Sequence, residues 1–187
     1  MRIYRFRVLI DDASEAVRDI EIGDGQTFLE FHQAIKEAFG FKGDEMASFY
    51  VSDAEWGKGI EIPLADMGMG DDGKVPLMMD EVQVGDHVRE PDQRFVYAYD
   101  FLQMWMFMVE RIGTADPDPA LTYPRVALSI GKAPEEDARM QDLLLQGTGE
   151  VSNGLHADDP YGDEADADED DEDGHYGGSI DDLGDTY

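Results

Sequence analysis

Asp100 is the residue whose type and setting could most readily do chemistry. It stands between Tyr99 and Phe101, with Trp105 close behind, in an otherwise apolar stretch. A carboxylate in such surroundings must be hydrogen-bonded or hold its proton above the usual range. It could serve as a proton-transfer group, or it could simply cap a turn. Tyr99, Asp100, Phe101 and Trp105 are therefore the candidate site residues, expected to touch a partner rather than to form a catalytic set. The four histidines, His32, His87, His156 and His175, offer no pair at metal-ligand spacing. Cysteine is absent, which excludes a thiol nucleophile, a disulfide framework and any Cys-ligated metal. No nucleophile elbow, P-loop or dinucleotide fingerprint appears. Gly68-Met69-Gly70 is a fragment of a glycine-rich loop, but Asp71 and Asp72 beside it would repel phosphate. Glu169, Asp171, Asp173 and Gly174 mimic the start of a calcium loop, yet Ile180 stands where the closing Glu belongs. No catalytic group, metal or cofactor is expected.

The charge narrows the partners. Forty-four acids against 14 bases give −30 over 187 residues. From Val151 to Tyr187 there is no Lys or Arg and the charge is −14, leaving −16 on the rest. Both parts would repel a phosphate backbone, so direct nucleic-acid binding is not expected. A protein partner, and a basic one in particular, fits better. Solubility and salt adaptation (Lys numbers only five) are the alternative readings of the same charge. No apolar run nears the roughly 20 residues of a membrane span. The alternating N-terminus lacks a signal h-region, so a cytoplasmic location is expected.

The elements that must position these residues follow from pattern. Residues 3–10 alternate and predict a strand, and Val17 to Ile22 a second one paired as a hairpin. Thr27 and Glu30 form a capping box, Phe28, Phe31, Ile35 and Ala38 keep helical spacing, and Gly40 is a C-cap. A helix over 27–39 is predicted, its aromatic stripe on the hairpin. Ser48 to Ser52 predicts a third strand. Residues 53–92 form an irregular excursion with a short strand at 60–64 and a mobile glycine-rich loop at 66–74. Residues 94–101 and 104–112 predict a hairpin across Leu102 and Gln103, with the second strand buried on both faces. Met78, Met79, Met104, Met106 and Met108 with Trp105 and Phe107 read as core or as an adaptable surface. Leu121 to Ile130, broken by Pro124, predicts an edge strand. Pro134 with Glu135, Glu136 and Asp137 opens a C-terminal helix ended by Gly147. Residues 148–187 predict an acidic disordered tail. The expectation is one α+β domain over 1–147, with a mixed sheet of about five or six strands and one helix packed across it.

The stretch Phe28-Leu29-Glu30-Phe31-His32-Gln33-Ala34-Ile35-Lys36-Glu37-Ala38-Phe39-Gly40-Phe41 resembles the first-helix signature of the plasmid Ri open-reading-frame-three-like family, also labelled insertion-sequence passenger proteins of the TnpR type. Tyr97-Ala98-Tyr99-Asp100-Phe101 with Trp105 resembles that family's Tyr-Asp-Phe-Gly-Asp-x-Trp-x-His segment. Tyr123-Pro124 and Ala133-Pro134-Glu135-Glu136-Asp137 resemble a third, so the likeness spans about 1–137 in order. Leu102-Gln103 replace Gly-Asp, and Phe107 replaces the His, so any activity resting on those groups would be lost here. The resemblance implies a ubiquitin-like, β-grasp-type roll and a link to mobile elements, and little about biochemistry. Three functions stay open: a non-enzymatic interaction or accessory module, an acidic factor of DNA mobility acting as a DNA mimic, and a small enzyme using Asp100.

Overall fold

The computed structural model describes residues 1–66, 68 and 77–147. The predicted tail at 148–187, the calcium-like run within it, His156, His175 and nearly all of the glycine-rich loop lie outside the described residues. Seven strands form one sheet: β1 (Ile3–Ile10), β2 (Val17–Gly23), β3 (Ala47–Ser52), β4 (Lys58–Pro63), β5 (Arg94–Tyr99), β6 (Trp105–Ala115) and β7 (Arg125–Ile130). Helix α1 (Phe28–Phe39) follows β2 and helix α2 (Ala138–Gly147) follows β7. The order across the sheet is β4-β3-β5-β6-β1-β2-β7.

This corrects the expected fold class. Every neighbouring pair is antiparallel. The fold is mostly β, not a mixed sheet and not a ubiquitin-like β-grasp. The difference arises at β6. A β-grasp sets a parallel partner beside its first strand, whereas here β6 returns from the β5 hairpin and pairs antiparallel with β1, from Ile3↔Ala115 to Ile10↔Phe107. β6 is also longer than expected, and it is not buried on both faces: Trp105, Phe107 and Val109 are buried while Met106, Met108 and Glu110 between them are half-exposed.

The capping box forms as read. Thr27 Oγ1 accepts from Glu30 N at 3.2 Å, and Glu30 Oε2 accepts from Thr27 N at 2.7 Å. Gly40 ends α1 at φ +80°, the left-handed conformation a C-cap glycine supplies. Phe28, Phe31, Ile35 and Phe39 are buried against the sheet. Ring centroids lie 5.0 Å apart for Phe28–Phe49, 5.4 Å for Phe31–Phe49, 5.1 Å for Phe6–Phe31 and 5.0 Å for Phe39–Phe107. The stripe thus rests on β1, β3 and β6 rather than on the β1–β2 hairpin alone. Met79 joins this core, Met106 and Met108 face outward, and Met104 is exposed.

The opposite face carries two cross-strand rows of charge. In one, Asp19, Arg7, Glu110 and Arg94 lie side by side on β2, β1, β6 and β5. Arg7 grips Asp19 through Nε at 2.8 Å and Nη2 at 3.0 Å, and Arg94 grips Glu110 at 3.1 and 2.9 Å. In the other, Arg125, Glu21, Arg5 and Gly113 lie side by side on β7, β2, β1 and β6. The two sheet edges also differ. β4 presents Lys58, Ile60, Glu61 and Pro63, whereas β7, after Arg125, exposes Val126, Leu128 and Ile130.

Phe49 is fully buried between α1 and the sheet. Phe49→Ala should lower unfolding free energy by about 3–5 kcal/mol, the usual cost of a buried phenylalanine cavity, as read from the urea midpoint at unchanged m-value.

Candidate functional site

The hairpin between β5 and β6 gathers the residues singled out from the sequence. Its loop is residues 100–104 rather than a tight turn at Leu102-Gln103, because the last ladder pair is Tyr99↔Trp105. Asp100 and Met104 hold the loop's ends at φ +56° and +54°, positions unfavourable for side chains with a Cβ. Asp100 offsets that cost with its carboxylate. Oδ1 accepts from Leu102 N at 3.0 Å and Gln103 N at 3.1 Å, and Oδ2 from Gln103 Nε2 at 2.7 Å. It is 5% exposed, and each of its oxygens is bonded within its own turn. Phe101 is half-buried and Leu102 at the tip is 72% exposed.

Tyr99 and Trp105 face the other way, onto the segment before α2. The Tyr99 hydroxyl lies 2.7 Å from Glu136 Oε1 and 2.9 Å from the Gly43 carbonyl, so its single proton has two acceptors. Burial, and after it the bond to Glu136, pushes the Tyr99 phenol up, keeping it protonated. Glu136 also accepts from Lys42 N at 2.7 Å and Gly43 N at 3.0 Å. Burial opposes its charge, but these bonds win and hold its carboxyl below the ordinary range. The Glu136 carbonyl accepts from Trp105 Nε1 at 2.9 Å. The Arg139 guanidinium lies over the Trp105 ring at 4.1 Å and donates to the carbonyls of Gln103, Met104 and Asp11. Met140 N donates to Gln103 Oε1 at 3.0 Å. These bonds form a clasp.

The clasp explains why α2 begins at Ala138 and not at Pro134. Glu136, expected in the helix's first turn, is diverted to the amides of Lys42 and Gly43. Sequence reasoning missed this pairing because its partners lie 93 and 94 residues away. The signal it could have used is Gly43, where a Cβ would stand 2.7 Å from Glu136 Oε1 and 3.0 Å from the Tyr99 hydroxyl oxygen.

His32 is buried on the sheet-facing side of α1, its Nδ1 2.8 Å from the Tyr97 hydroxyl. Burial lowers its pKa to about 4, with Lys36 adding to the effect. His87 is buried against the edge of Phe28, 6.0 Å between centroids. Among the described residues no cluster of three or more His, Asp or Glu could hold a metal ion. No described helix is long and apolar enough to cross a membrane.

Two outcomes follow. An unfolded histidine titrates near 6.5 and His32 near 4, so unfolding takes up a proton between those values and stability falls as pH drops through that window. The full loss is about 3 kcal/mol by linkage. Glu136 contributes stability above the unfolded carboxylate range that is lost at lower pH still. Urea titrations from pH 8 to 3.5 should show the upper fall, and His32→Phe should reduce it, the remainder belonging to His87, whose pKa burial also lowers. Separately, Gly43→Ala should displace Glu136 and speed hydrogen exchange at the Trp105 indole N–H, leaving exchange in the β1–β2 ladder unchanged.

The chain is similar in fold to the crystal structure of a protein of unknown function, MM3350, from Methanosarcina mazei Go1. The TM-score is 0.61 at 18% identity, covering 80% of this chain and 83% of that one. No curated protein matches it. The family model described as plasmid pRiA4b ORF-3-like protein matches residues 2–146, which takes in the sheet, α1 and the clasp. The chain therefore belongs to the plasmid pRiA4b ORF-3-like protein family.

Proposed function

We propose that the chain is a non-enzymatic interaction module that presents the β5–β6 loop to a protein partner. The observation that carries this reading is the placement of exposed apolar side chains on a braced loop. Leu102 is 72% exposed and Met104 44% exposed, while Asp100 and Arg139 fix the backbone on either side of them. A rigid apolar tip loses little conformational entropy on binding, which favours recognition. Asp137 and Asp142 are exposed nearby in sequence and favour a partner with a basic rim. The bonds of Asp100 to its own turn support this reading over one in which it transfers protons.

The test is affinity capture with the full chain and with a Leu102→Glu/Met104→Glu double variant of unchanged melting temperature. A partner held by the native chain should be lost by the variant, and its retention should weaken between 50 and 300 mM salt, on the order expected for a charged rim. Equal capture by both chains would remove the loop from the interface.

A further inference from the structure

The two charged rows on the outer face end differently. The complete row alternates in sign from Asp19 through Arg7 and Glu110 to Arg94. The second runs from Arg125 through Glu21 to Arg5 and then meets Gly113, which has no side chain to continue it. Glu21 is 5% exposed and already spent: Oε1 accepts from Nε and Nη2 of Arg5, and Oε2 from Arg125 Nε at 2.7 Å. Nη1 of Arg5 and both Nη atoms of Arg125 bond to no described residue. Two guanidinium groups share one carboxylate, so this row keeps one positive charge in a strongly anionic chain.

A cavity of about 140 Å³ lies at this place, lined chiefly by Ile3, Arg5, Glu21, Ile112, Gly113 and Thr114. A Cβ built on Gly113 would meet nothing within 4 Å. The register shift between Arg5 and Phe6 leaves Ile112 without a partner on β1, and Ile112 is 41% exposed at the cavity wall. Such bulges re-aim side chains and often border binding sites. The cavity is the size that takes a ligand of about six heavy atoms.

The geometry points to a binding site for a small organic monocarboxylate, whose carboxyl group takes the place beside Arg5 that Glu110 takes beside Arg7. Its short apolar body lies on Ile112, with the fully buried Ile3 behind it as the cavity floor. The chain itself supplies the precedent for the anion, since the complete row places a carboxylate at the matching position. The aliphatic wall favours an organic acid over an inorganic ion. The site sits at the far end of β6 from Leu102 and is independent of the loop's proposed role.

The probe is sodium butyrate, titrated into the full chain at constant ionic strength while the Gly113 amide and Arg5 Nε–H resonances are followed. Saturable shifts with a dissociation constant on the order of millimolar are expected, as befits so small a ligand. Arg5→Gln should weaken binding by about tenfold or more. Gly113→Glu, for which the backbone has room, should close the row internally and abolish the response with no loss of melting temperature. N-acetylvaline separates two sources of the carboxylate: tighter binding than butyrate assigns the site to a chain end, weaker binding to a free acid. Shifts that match those from butyramide or sodium chloride, tighter binding of inorganic phosphate, or butyrate binding that survives in Gly113→Glu would each overturn the proposal.

Discussion

Helix and sheet meet along one aromatic seam. Phe28 and Phe31 of α1 flank Phe49, Phe49 lies 4.5 Å from Tyr97, and Tyr97 lies 5.3 Å from Phe107, which Phe39 covers from the helix's far end. This seam ties β3, β5 and β6 to a single twelve-residue helix. Aromatic groups of this size bury most area per residue, and edge-to-face or offset packing adds to it. The remainder depends on that seam in a definite sense. A slip of one residue in β5 or β6 would turn Tyr97 and Phe107 outward and bring Val96 and Met108 in. Both the outer charge rows and the β5–β6 loop take their positions from this register.

The clasp and the loop are two halves of one arrangement. Tyr99 ends β5 and Trp105 begins β6, so their ladder pairing brings a hydroxyl and an indole N–H to one place. The chain's own residues 133–140 take up both donors. Leu102 and Met104 remain outward. In this way buried polar bonding fixes the backbone beneath an exposed apolar loop tip.

Much of this was legible in the residues. Alternation located β1, β2 and β5, and the capping box with Gly40 located α1, because these signals are local. The sheet's sense was not legible. Whether a strand joins a neighbour parallel or antiparallel depends on which long-range partner it reaches, and nothing in the β6 run itself specifies β1. The likeness to ubiquitin-like rolls misled at that point. Asp100 was recognised as unusual, and the choice between a turn cap and a reactive carboxylate needed the positions of Leu102 N and Gln103 N. Tyr99 and Trp105 were expected to touch a partner; the contacts they make here are with Glu136 and Arg139 of the same chain. The second charge row was invisible in sequence, since Arg5, Glu21, Gly113 and Arg125 converge only through three strand pairings.

The unequal edges of the sheet carry a consequence of their own. Lys58 and Pro63 on β4 discourage another strand from adding there, whereas the apolar outer residues of β7 would welcome one. Among the described residues the approach of two copies of β7 is opposed at long range, by the mutual repulsion of molecules bearing −30 each. Such repulsion fades within about 10 Å at 0.1 M ionic strength. Colloidal behaviour is thereby tied to the surrounding electrolyte: in concentrated salt this edge, and not a failure of the core, becomes the place where clustering starts.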